Sequence, residues 1–190
     1  MEFIFDTETS GLPKYRASYK EQQPWIVQIG GILCSSVTTG GEINLKIHSN
    51  GRKIEKGAQD THHISQLACD RMGVSEQVAC LAFIELVLNA DLLVCHNAGF
   101  DKLLVAHMLF ANDFKVEAEF FWKMPTYCTM LESTSLLKLP QQRGGGYKWP
   151  KLEELYKFLF SEMFEGAHDA MADVRATQRC YYKLKEDVPF

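Results

Sequence analysis

Residues 3–12 read "FIFDTETSGL". An apolar run leads to two carboxylates one residue apart, and a Ser-Gly pair then breaks the pattern. Strand side chains alternate with period two, so Ile4, Asp6 and Glu8 share one face and Phe3, Phe5 and Thr7 the other. Two acids on one face repel each other and resist desolvation. Three readings fit such a pair. The strand end reaches solvent; or two carboxyls do general acid/base work; or a hard divalent cation sits between them, with further acids from elsewhere in the chain.

Outward from this strand, the pattern predicts an α/β architecture, a mixed sheet flanked by helices. "PWIVQIGGILC" (24–34) and "GEINLKIHS" (41–49) read as a second and third strand, with "TTGG" as the turn between them in an antiparallel meander. "SEQVACLAFIELVLNA" (75–90) has helical spacing, "DLLVCHN" is a short buried strand, and "DKLLVAHMLFAND" (101–113) is helical again. "PTYCTM" reads as a last short strand leading into a helix through "LESTSLLK". "WPKLEELYKFLF" follows, with Pro150 at the first helical position, and a final helix begins near Asp169.

Length and composition set bounds. A chain of 190 residues, 46% hydrophobic and 23% charged, is expected to be one domain over residues 1–190 with a sizeable core. A net charge of −4 argues against a broad electrostatic grip on nucleic acid, though not against a cation-filled site that touches a few phosphates. The six cysteines (Cys34, Cys69, Cys80, Cys95, Cys128 and Cys180) form no C-x-x-C pair and read as reduced, buried thiols of a cytoplasmic protein. No transmembrane span is seen, and if Met1 is the native start, strand-like sequence from residue 2 is expected to leave no room for a signal peptide.

Two segments read as loops. "PKYRASYKEQQP" (13–24) interleaves Lys14, Tyr15, Arg16, Tyr19 and Lys20, a mix that suits either a solvated connector, which is slightly favoured, or contacts to phosphates and bases. "QQRGGGYKWP" (141–150) is glycine-rich without the layout of a phosphate loop, and offers Arg143 and Lys148 as phosphate contacts.

Further acids stand at two other element ends. In "HNAGFD" (96–101), Asp101 opens a helix, where an acid is commonly a cap or a dipole partner. In "GAHDAMADVRAT" (166–177), His168 and Asp173 would lie roughly 140° apart on one continuous helix. They converge only if His168 stands in the loop and Asp173 in the first turns, with Asp169 as cap and Ala170, Val174, Tyr181 and Leu184 facing inward.

Taken together, "FDTETSGL", "HNAGFD" and "HDAMAD" resemble, in order and spacing, the three motifs of the DEDDh (DnaQ-like) 3′–5′ exonucleases. That family includes proofreading subunits of the DNA polymerase III epsilon type and stand-alone DNA and RNA exonucleases. "WIVQIGGI", "AQDTHHI" (58–64), "YCTM" and "KLEELY" are similar to further segments of it, so the resemblance spans nearly the whole chain.

The resemblance implies a ribonuclease H-like fold with a five-stranded mixed β-sheet flanked by α-helices. It also implies two divalent metal ions, Mg²⁺ or Mn²⁺. Asp6 would bridge them, Glu8 and Asp173 would complete one site, Asp101 would support the other, and His168 would be the general base. By the same analogy Thr7, Thr9 and Ser10 lie near the terminal nucleotide, Leu12 wedges under its base, and Asn97 and Phe100 flank it. Leu12 and Phe100 read equally well as core. His62 falls on the family's histidine position, while His63 replaces the usual glycine and Ser10 the commoner threonine.

The residue types suit the chemistry independently. Hard cations want oxygen ligands, and an imidazole, whose ordinary pKa is near neutrality, can take a proton from water. Four acids and a histidine exceed what glycoside chemistry needs. The expected activity is metal-dependent 3′–5′ hydrolysis of mainly single-stranded DNA, releasing nucleoside 5′-monophosphates. RNA trimming of the oligoribonuclease type is the alternative, followed by a non-catalytic binding module. The expected partner is nucleic acid, not a membrane. With the chain ending soon after Asp173, no polymerase partner is evident.

Overall fold

The structure is a computed structural model that describes residues 1–141 and 144–186; Arg143 lies outside the described residues. Five strands, β1 (Glu2–Thr9), β2 (Ile26–Cys34), β3 (Thr39–Lys46), β4 (Leu92–Cys95) and β5 (Thr126–Cys128), form one sheet in the order β3-β2-β1-β4-β5. β1–β2 and β2–β3 pair antiparallel, and β1–β4 and β4–β5 pair parallel. Tight connections permit the antiparallel half, whereas the parallel half needs helical crossovers. These run through α1 (Lys56–His62), α2 (Gln66–Met72), α3 (Glu76–Val87), α4 (Ala98–Ala111) and α5 (Lys115–Lys123). After β5 come α6 (Thr129–Leu137), α7 (Leu152–Phe160) and α8 (Ala170–Glu186). This is the ribonuclease H-like arrangement, a five-stranded mixed sheet flanked by helices.

The central strand is buried on both faces. On one, Phe3 and Phe5 pack with Phe83 and Phe121, the ring centroids lying 5.1–5.8 Å apart. Each buried phenylalanine contributes roughly 1.5–3 kcal/mol relative to exposure. On the other face Ile4 meets Ile32, Val94, Met171 and Val174, so α8 lies across that side. Gly30 sets the clearance between α8 and the sheet. A Cβ there would stand 2.9 Å from the Ala170 carbonyl carbon, so only glycine lets the first turn of α8 press onto β2. Among the described residues no helix is long and apolar enough to cross a membrane.

Several boundaries differ from expectation. The β2–β3 turn is closed by the Ser35 N–H bonding the Thr38 carbonyl at 2.8 Å, so most of "TTGG" belongs to β3. α4 begins at Ala98, which puts Asp101 in its first turn rather than at its opening. Pro150 is outside α7, whose cap is Lys151; the Lys151 N–H bonds the Glu154 carboxylate at 2.8 Å. The segment 13–24 is exposed over most of its length, as a connector would be, yet it is tied down internally. Gln23, buried in its midst, accepts from the Lys14 N–H at 2.8 Å and ties the segment together.

Candidate active site

The carboxylates gather where β1 leaves the sheet. Its register with β2 (Asp6 opposite Gly30, Glu8 opposite Gln28) shifts between Glu8 and Thr9, an irregularity of the kind that ends regular pairing. Asp6 and Glu8 point to the α8 side. Thr7 points to the α4 side, where its N–H and its hydroxyl both donate to Oδ1 of Asp101, at 3.0 and 2.8 Å. Asp101 thus reaches the strand end from the opposite face and is held by Thr7.

On the α8 side, His168 stands in the loop with a left-handed backbone (φ 69°), and its N–H donates to Oδ2 of Asp173 at 3.3 Å. Asp169 caps α8, accepting from the N–H groups of Met171 (3.1 Å) and Ala172 (3.2 Å). Ligand atoms of Glu8, His168 and Asp173 all lie within 4.8 Å of one another. Oδ1 of Asp173 is buried and has no hydrogen-bond partner among the described residues.

Such crowding is costly for charge. Burial, then the charges of Asp101, Asp173 and Glu8, raises the Asp6 carboxyl well above the usual range. Burial and the charge of Asp173 push Glu8 up to about 8. Burial raises Asp101 to about 7 against the opposing hydrogen bonds from Thr7, and raises Asp173 to about 7. Four acids that resist ionisation, one with an unpartnered buried oxygen, suit an oxygen-ligated divalent cation.

Two cavities open beside the acids. One, about 360 Å³, is lined by Glu8, Thr9, Leu12, Glu55, His62 and Phe100. Leu12 is 80% exposed there, so it is not core, and Phe100 is half-buried. Nδ1 of His62 accepts from the Ile64 N–H at 3.0 Å, and the buried Nε2 has no hydrogen-bond partner among the described residues. The other, about 340 Å³, is lined by Asp6, Asn97, Trp149, His168 and Asp173 among others.

A sequence profile of the RNase T-type exonuclease family matches residues 3–181. The chain belongs to that exonuclease family. No curated protein matches it significantly. Among solved structures it is similar to E. coli exonuclease I in complex with a dT13 oligonucleotide, at 18% identity and TM-score 0.76, covering 98% of this chain and 41% of that one. The zinc-bound E. coli exonuclease I–single-stranded DNA complex gives 17%, 0.72, 97% and 40%, and a product-bound exonuclease I gives 17%, 0.75, 97% and 43%. The chain therefore spans about two fifths of the length of these structures.

Within this exonuclease frame, the five motif residues come together at one strand end. Thr9, Leu12, His62 and Phe100 share the first cavity, and Asn97 lines the second. Thr7 and Ser10 sit apart from both. The Thr7 hydroxyl is spent on Asp101, and the Ser10 hydroxyl accepts from the Trp25 N–H at 3.1 Å.

Two supporting residues escaped the sequence reading. Gln28, fully buried on β2, donates to Asp169 and Asn44, both at 2.9 Å, and its carbonyl accepts from the Ala170 N–H at 3.4 Å. His96 is clasped between Thr129 (2.9 Å) and the Pro150 carbonyl (3.0 Å), and burial lowers its pKa to about 4, so the ring stays neutral. Only a long-range view finds either of them. Gln28→Leu is expected to cost about 1–3 kcal/mol, read by urea unfolding, by leaving Asp169 without its buried partner. A full-stability variant would remove Gln28 from the support of α8.

Proposed function

We propose that this chain, as one domain over residues 1–190, hydrolyses single-stranded DNA from its 3′ end and releases nucleoside 5′-monophosphates. The observation that carries the reading is the convergence of Asp6, Glu8, Asp101 and Asp173, drawn from both faces of the sheet, beside the exposed ring of His168. Glu8 and Asp173 would hold one divalent ion, Asp6 would share it with a second, and Asp101 would support the second. Mg²⁺ or Mn²⁺, when bound, supplies Lewis-acid stabilisation of the phosphate's developing charge and of the entering and leaving oxygens.

His168 takes the proton of the attacking water on the Glu8–Asp173 side. The new P–O bond forms as the bond to the 3′-oxygen breaks, and that oxygen leaves as an alkoxide that is protonated from solvent. Thr7 fixes the Asp101 carboxylate throughout. The terminal nucleoside occupies the cavity of Thr9, Leu12, His62 and Phe100, where the Nε2–H of His62 can donate to it, while Asn97 lines the adjoining cavity. The likeness to exonuclease I solved with a dT13 oligonucleotide supports a single-stranded DNA substrate. Six free, buried cysteines suit a reducing, cytoplasmic setting.

The test is side-by-side digestion of 5′-labelled DNA and RNA of one sequence, with Mg²⁺, with Mn²⁺ and with chelator. A ladder on DNA that chelator abolishes is expected. A ladder mainly on RNA would move the substrate to RNA, and none on either strand would leave a binding module. His168→Ala is expected to lower kcat about a hundredfold with little change in KM. Unchanged kcat would place the base elsewhere.

A further inference from the structure

The segment from Pro13 to Pro24 is held to α4 and to itself by a set of specific contacts. Tyr19 is buried, its ring 5.1 Å from that of Trp122 and 6.0 Å from that of Phe110. The Tyr19 carbonyl accepts from Nδ1 of His107 at 2.9 Å, and Nε2 of the same ring accepts from the Gln23 N–H at 3.3 Å. The Gln23 amide donates back to the carbonyls of Lys14 (3.4 Å) and Ser18 (3.5 Å). Turn bonds from Ala17 to Lys14 (2.8 Å) and from Glu21 to Ser18 (2.9 Å) complete a lobe docked on α4.

What this lobe presents is Lys14, Tyr15, Arg16 and Lys20, all exposed. Within the lobe three cations stand against the carboxylate of Glu21, and nearby Glu119 of α5 is already paired with Lys123, which leaves a locally positive surface on a chain of net charge −4. Tyr15, 61% exposed, reaches the Asn97 side chain at the start of α4. With Gly99 and the half-exposed Trp122 it lines a third cavity of about 230 Å³.

Its position relative to the chemistry decides its use. Water enters from the Glu8–Asp173–His168 side. An in-line displacement at phosphorus expels the 3′-oxygen on the far side, toward Asp101 and the start of α4. That oxygen belongs to the penultimate nucleotide, so the strand leaves on the Asp101 side, where Tyr15 shares a cavity with Gly99 at the start of α4. We propose that residues 14–20 are a clamp for the strand upstream of the scissile bond. The Tyr15 ring stacks on the penultimate base in the cavity it shares with Trp122, and Lys14, Arg16 and Lys20 meet the phosphates beyond. The inference rests on the exonuclease reading above and adds a site to it.

The test pairs enzyme variants with substrate variants: a short oligo-dT, and the same oligomer with an abasic penultimate position. Tyr15→Ala is expected to raise KM on the intact strand about tenfold with kcat little changed. Tyr15→Phe should stay near wild type, and Tyr15→Ala should add no further loss on the abasic strand. Removing Arg16 and Lys20 together should flatten the slope of log(kcat/KM) against log salt by about 1.4. An equal loss on both strands, or an unchanged KM on the intact one, would overturn the clamp. Binding followed by tryptophan fluorescence separates the two claims. If wild type shortens neither strand the exonuclease reading falls, while Tyr15-dependent quenching of tryptophan fluorescence that Trp122→Phe abolishes still decides for or against the clamp.

Discussion

Asp6→Asn should lower 3′-end hydrolysis by about a thousandfold or more. It should also leave the metal-free protein at least as stable as wild type near pH 8. Both halves follow from one fact. The Asp6 carboxyl is raised well above the usual range because it is buried and faces the charges of Asp101, Asp173 and Glu8 together. Neutralising it relieves that repulsion, yet removes the oxygen charge that would be shared between two cations. Digestion of labelled DNA and thermal melts in chelator, run on the same preparations, measure the two effects. An Asp6→Asn protein that keeps most of its activity would take Asp6 out of the reacting set. One that is markedly less stable without metal would contradict the electrostatic account.

The second large effect concerns pH and metal together. Glu8 is raised to about 8, and Asp101 and Asp173 to about 7. A carboxyl with a raised native pKa holds its proton more tightly folded than unfolded. Its contribution to stability is therefore full in acid and is lost as pH rises through its native value. His96 acts oppositely: its native pKa is about 4, so its contribution is lost as pH falls below the ordinary imidazole range. The metal-free protein is thus expected to lose on the order of several kcal/mol between about pH 4, the ordinary carboxyl range, and about pH 8, with the His96 contribution below about pH 6.5 offsetting only part of the gain toward acid. Mg²⁺ or Mn²⁺ should restore most of that loss at the alkaline end, because they bind the ionised native cluster and not the unfolded chain. Melting temperatures across this range, with chelator and with each cation, test the claim. A metal-free Tm indifferent to alkaline pH, or blind to added cation there, would count against a shared acidic site.

How much of this was legible in the sequence depended on whether the signal was local. β1 was readable because alternation and the following Ser-Gly are contained in ten residues. The His168–Asp173 turn was readable because a loop histidine, a cap and a first-turn acid follow from helix geometry alone, and Asp169 does cap α8. α1, α2 and α5 went unassigned: each is only seven to nine residues long, too short to show a sustained apolar stripe. The lobe at 13–24 read as a connector because its organising bonds come from His107 on α4, far along the chain. Gln28 escaped for the same reason, since a lone glutamine in an apolar strand gives no hint that its partner is Asp169.

The clearance at Gly30 offers a practical handle. No side chain there touches a nucleotide or a cation, yet the distance of Asp173 from Asp6 depends on how closely α8 lies on β2. Enlarging residue 30 would tilt the helix and part the acids while leaving Tyr15, Arg16 and the nucleoside cavity as they are. If the proposed 3′-end hydrolysis holds, such a variant would grip a strand without cutting it and would serve as a capture reagent for the proposed substrate.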